Sequence, residues 1–74
     1  MKTVEAVREI MEQQNLGVNK IANRLNKKPN VISERLSQEN ISIVKLNELL
    51  RVLDYKTIIV PRNTTIPKGG YEIE

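Results

Sequence analysis

The chain has no cysteine, no histidine, no tryptophan and no phenylalanine, and two tyrosines are its only aromatic residues. Losing cysteine and histidine together removes disulfides, thiolate nucleophiles, imidazole acid–base chemistry and the usual zinc ligands. Two rings are too few for an aromatic platform on which single-stranded bases stack. No apolar run approaches the roughly 20 residues that span a bilayer, and the N-terminus lacks the apolar h-region of a secretory signal. The expectation is a cytoplasmic protein with no membrane association. There is also no internal repeat and no low-complexity segment.

What is present is the make-up of one small folded domain. Of 74 residues, 39% are hydrophobic and 28% charged, a balance that favours a packed core over disorder. A core of this size rarely supplies more than roughly 3–5 kcal/mol, so self-association is expected to help hold it.

The net charge of +3 is mild, but its distribution is uneven. Residues 1–17 set Lys2 and Arg8 against Glu5, Glu9 and Glu12. Residues 18–38 carry Lys20, Arg24, Lys27, Lys28 and Arg35 against Glu34 alone. Residues 39–74 cancel, with five charges of each sign. The positive excess therefore sits on the middle of the chain, either to meet nucleic-acid phosphates or as an ordinary solvated face.

That middle stretch, residues 18–37, organises the rest. Ile21, Ala22 and Leu25 form one apolar stripe at helical spacing, and Val31, Ile32 and Leu36 form a second. Between them lies Asn26-Lys27-Lys28, where Asn26 tolerates the left-handed backbone that a helix end often requires. Pro29 suits the first turn of a new helix, because its φ is preset and its missing N–H would be unpaired there. Two helices joined by so short a turn make a helix-turn-helix, whose second helix fits a DNA major groove.

Residues 3–14 predict a preceding helix, with Thr3 as its N-cap and Val4, Val7, Ile10 and Met11 on one face. Asn15-Leu16-Gly17 ends it, and Leu16 is expected to drop into the core. After the polar break from Ser37 to Asn40, Ser42 caps a fourth helix running to about Asp54, its stripe being Ile43, Leu46, Leu49, Leu50 and Leu53. Lys56 to Val60 is β-branched and reads as a strand that Pro61 stops. Arg62 to Gly70 reads as a loop, and Tyr71 to Glu74 alternates like a second strand. A lone hairpin is marginal in water, so these strands need either the helical core or a second copy of the chain. The predicted fold is mainly α: four helices at about 3–14, 18–25, 29–37 and 42–54 within residues 1–55, then a C-terminal β-hairpin or dimerising strand within 56–74.

The pattern from Leu16 to Leu36, with Ile21-Ala22-x-x-Leu25 followed by Ile32-x-x-x-Leu36, resembles the phage Cro/repressor (Xre-type) helix-turn-helix family. Ala22 matches the small residue that the family uses where the two helices meet. The stretch from Leu46 to Tyr55 is similar to the family's closing helix, so the resemblance covers about residues 3–55. The strand segment is similar to Cro-type proteins that dimerise through C-terminal strands. The chain departs from the family at Asn26, which replaces the turn glycine, and at Pro29, where a polar base-reading residue is usual. It also departs at Ser37-Gln38-Glu39-Asn40, where the family has a glutamate–asparagine–glycine run.

The resemblance implies a sequence-specific regulator that binds double-stranded DNA as a homodimer in the bacterial or phage-infected cell. By position, Lys28, Asn30, Ser33 and Glu34 would read bases: Lys on guanine, Asn bidentate on adenine, Glu on the cytosine amino group. Asn19 and Lys20 would clamp phosphate at a helix N-terminus, with Lys27, Arg35 and Gln38 as further backbone contacts. Ile58, Ile59 and Val60 would carry dimerisation.

Each residue also has a plainer role open to it. Lys27 and Lys28 would keep a turn soluble, Asn30 would cap locally, and Ser33 would bond the carbonyl four residues earlier. Glu34 would pair with Lys27, Lys28 or Gln38. The same fold also serves protein-interaction modules such as antitoxins, anti-CRISPR-type inhibitors and phage adaptors. An enzyme is not expected. Ser33 has no base placed for it, Glu5, Glu9 and Glu12 share a helix face as solvated surface would, and no cofactor, metal or small-molecule ligand is indicated.

Overall fold

A computed structural model describes all residues from Met1 to Glu74, and its elements begin where the apolar spacing begins. The four helices are α1 (Thr3–Gln14), α2 (Val18–Leu25), α3 (Pro29–Ser37) and α4 (Ile43–Val52). Lys2, not Thr3, is the flanking residue of α1, because the Glu5 carboxylate accepts the Lys2 backbone N–H at 3.4 Å. Ser42 caps α4, its Oγ accepting the Lys45 N–H at 3.2 Å.

Three of the helices stop by one device. Asn15, Asn26 and Asp54 adopt φ of 56°, 56° and 62°, and they are the only non-glycine residues with positive φ. At each, the following N–H reaches back five residues: Leu16 to Met11 at 2.9 Å, Lys27 to Ala22 at 2.9 Å, and Tyr55 to Leu50 at 2.8 Å. The left-handed residue's own N–H bonds to Glu12, Asn23 and Arg51 respectively. This is the Schellman arrangement, with a short amide or carboxylate side chain in the place glycine usually takes. Leu16 and Tyr55 turn inward onto the core, whereas Lys27 turns out to solvent. The stop at Asp54 also shortens α4 relative to the expected end.

The core joins Val7, Ile10 and Met11 of α1, Ile21 and Ala22 of α2, Ile32 and Leu36 of α3, and Leu46, Leu49, Leu50 and Leu53 at α4. Fully burying a side chain of this kind contributes roughly 1.5–3 kcal/mol. Four members of the expected stripes fall outside it, of which Val4 and Leu25 are half-buried and pack against its edge. Val31 is only half-buried, and Ile43 at the start of α4 is 56% exposed.

The predicted β-hairpin is not formed, and the chain contains no strand. Residues 56–60 have no regular secondary structure and no backbone hydrogen bond, and Ile58, Ile59 and Val60 are exposed. Two turns follow. The Thr64 N–H donates to Pro61 O at 3.0 Å and the Gly70 N–H to Pro67 O at 2.9 Å; the second turn needs a positive φ, and Gly69 supplies it at 84°. The segment meant to pair with 56–60 lies on the helices instead. Tyr71 packs against the core and against the Tyr55 ring, with centroids 6.3 Å apart, and the Tyr55 hydroxyl donates to Gly69 O at 3.3 Å. The Thr57 hydroxyl donates to Asn47 Oδ1 of α4 at 2.8 Å. At the very end the Glu74 N–H donates to Met1 O at 3.1 Å, and its carboxylate lies 3.9 Å from the Met1 ammonium. Burial of Tyr71 against apolar side chains, unavailable on a free two-stranded ribbon, accounts for the choice.

Candidate nucleic-acid interface

Opposite the buried Ile32, Arg35 and Leu36, α3 presents Asn30, Ser33, Glu34 and Ser37, all exposed. Their spacing of three, four and seven places them on one stripe of the helix. The face is polar throughout and carries donors and acceptors of the kinds that read base edges. Ser33 does not form the expected back-bond; instead the Ser37 hydroxyl donates to the Ser33 carbonyl at 3.0 Å. Glu34 forms no ion pair with Lys27 or Lys28 and stands free. Gln38, extended beyond the helix, is exposed with its N–H on Arg35 O at 3.2 Å.

Cations border this face. Lys28 is the flanking residue of α3, ahead of Pro29 in its first turn, and Lys27 is directed outward by the Schellman turn. On α2, Asn19 and Lys20 sit in the first turn, where Gly17 offers no side chain to cap the leading N–H groups. Those groups and Lys20 together form an open donor set for an anion. Arg24, four residues beyond Lys20, extends the same face, and was missed by position-matching although the spacing alone places it there. The structure's ion pairs are Met1–Glu74, Lys2–Glu39 and Arg35–Glu48, so Lys20, Arg24, Lys27 and Lys28 have no carboxylate partner.

Arg35 corrects the expectation of a phosphate contact. Its side chain is 8% exposed, and Nη1 lies 2.9 Å from Glu48 Oε1 on α4. The approach is off the N–H axis, so the contact is an ion pair without a well-formed hydrogen bond. A guanidinium held inside against its own carboxylate is not on the surface that a phosphate would touch. The neighbouring Leu36 carbonyl is held from the other side, by Arg8 Nη2 of α1 at 3.1 Å.

The remaining surface is different in character. Glu5, Arg8, Glu9, Glu12 and Gln13 line a shallow depression on α1, well supplied with carboxylates but without a group able to hold a metal. Ile58, Ile59 and Val60, expected to lie in a dimer strand, stand in solvent near α4, whose Ile43 and Val44 are also exposed. No helix is long and apolar enough to cross a membrane. Compared with protein-family models, curated proteins and solved structures, the chain matches none.

Proposed function

We propose that the chain is a sequence-specific double-stranded DNA-binding regulator of the Cro/repressor type, acting as a homodimer on a two-fold symmetric site in the cytoplasm of a bacterial or phage-infected cell. The observation that carries this is the pairing of a polar outward face on α3 with four unpartnered cations on α2 and the connecting turn. A helix of this kind enters the major groove while the cations and the α2 N-terminus hold the phosphates on either side. Lys28, Asn30, Ser33 and Glu34 read bases, with Asn30 the principal determinant. Asn19, Lys20, Arg24, Lys27 and Gln38 position the helix. The protein does no chemistry of its own and acts by occluding a promoter or recruiting to it.

The second copy is expected against the exposed Ile58-Ile59-Val60 run, whose free backbone groups and apolar side chains suit a like segment. A dimer of this type sets half-sites about 34 Å apart. Selection of bound duplexes from a random library at about 150 mM salt tests the proposal. An enriched two-fold symmetric site supports it. Weak, salt-sensitive binding without enrichment favours instead a protein-interaction module on the same helices, for which the exposed apolar run is the docking segment.

A further inference from the structure

The short α3 helix offers the core only two apolar side chains, Ile32 and Leu36. They lie four residues apart, so together they define a line along the helix. A helix held along a single line resists being pulled away but can roll about that line. Side chains reach about 5–6 Å from the helix axis, so a roll of about 20° displaces their tips by about 2 Å. Base-reading hydrogen bonds tolerate far less than that.

Two polar contacts flank the apolar line. On the α1 side, Arg8 Nη2 bonds the Leu36 carbonyl at 3.1 Å. On the α4 side, Glu48 Oε1 meets Arg35 Nη1 at 2.9 Å, with the arginine buried. Arg35 is a costly residue to bury, and an apolar side chain would serve the core better. What the ion pair adds is a tether to one point on α4, because a roll that carries the buried guanidinium away from Glu48 leaves its charge uncompensated, even without a well-aligned hydrogen bond between them.

We propose that Arg35 and Glu48 are positioning residues that set the roll of α3, and thereby the aim of Asn30 and Ser33 at the bases. This rests on the DNA-binding reading for its functional consequence, but not for its geometry. It assigns sequence discrimination to two residues that touch no DNA.

The test uses the full chain with Glu48→Gln, which keeps size and loses charge, and the exchanged pair Arg35→Glu with Glu48→Arg. Amide residual dipolar couplings report the orientation of α3 against α1 and α2 without DNA. Library selection and titration report the ratio of affinities for the selected site over random duplex. In Glu48→Gln the α3 couplings are expected to depart while those of α1 and α2 hold. The affinity ratio is expected to fall about tenfold with the salt slope on random duplex unchanged. The exchanged pair is expected to recover much of both. A purely structural contribution would lower both affinities together, in step with the folded fraction. Unchanged couplings in a folded Glu48→Gln overturn the proposal, as does a ratio within twofold of the parent. Should Glu48→Gln fail to fold, Glu48→Asp, which keeps the charge and withdraws it by one methylene, is measured in its place with the same criteria. If the parent chain selects no site, the DNA reading fails, and the couplings alone decide whether the pair sets the roll.

Discussion

Arg8 Nη2 donates to the main-chain carbonyl of Leu36 across 3.1 Å, tying the middle of α1 to the last turn of α3. A helix of nine residues has few internal bonds, and its final carbonyls have no partner within it. Here α1 provides one from outside. Arg8→Met keeps much of the aliphatic stem and removes the donor, leaving a part-buried carbonyl unsatisfied. We expect it to cost about 1–2 kcal/mol by urea unfolding, with the amides of the last α3 turn losing hydrogen-exchange protection first. Unchanged protection there would show that the contact does not secure the helix end.

Asn26 holds a left-handed backbone at φ 56° between α2 and α3. Asn26→Ala is expected to destabilise by about 1 kcal/mol, since a Cβ without a polar group is strained there. Asn26→Gly, which removes the strain and adds unfolded-state freedom, should lie within about 0.5 kcal/mol of the parent. Thermal unfolding of the two variants side by side checks the difference between them.

Asn30→Ala should weaken the selected duplex by about 1–3 kcal/mol and relax preference at one base position. Lys20→Ala should weaken all duplexes similarly and reduce the salt slope by about 1. Competition titrations at several salt concentrations separate the two. Equal behaviour of both variants would sink the proposed docking.

Ile59 is 99% exposed and contributes nothing to the core of one chain. Ile59→Lys is expected to leave unfolding of the monomer within about 0.5 kcal/mol of the parent, while lowering self-association in sedimentation experiments. Association that survives the added charge would place the dimer contact elsewhere.

The helices were legible because their information is local. Ile21, Ala22, Ile32 and Leu36 repeat at spacings that only one helical face satisfies, and Pro29 and Asn26 mark the turn between them. The failures are of a different kind. Arg35 reads as a surface cation until Glu48, thirteen residues on, is brought against it by the packing of α4. Residues 58–60 carry strand-forming side chains, but a strand exists only when another strand pairs with it, and Tyr71 found more burial against the helices. Val44 is apolar yet exposed because it lies on the face of α4 opposite Leu46, Leu49 and Leu50, and Ile43, the first residue of the helix, is also exposed although Leu46 in the same turn is buried. Arg24 required only the four-residue step from Lys20, and is the one omission that the spacing itself would have repaired.

The contact between Glu74 and Met1 makes the backbone nearly a closed circle, with the N–H of the last residue already bonded to the carbonyl of the first. Joining the two through a few added residues would cyclise the protein without moving a helix. Such a ring could then be cut open in the exposed turn at 61–64, giving a permuted chain whose helices keep their order. Closing a loop of this length removes unfolded-state freedom worth up to about 4 kcal/mol. For a core this small that is comparable with its entire stability. Cyclisation would therefore raise the melting temperature more than any single substitution in the helices.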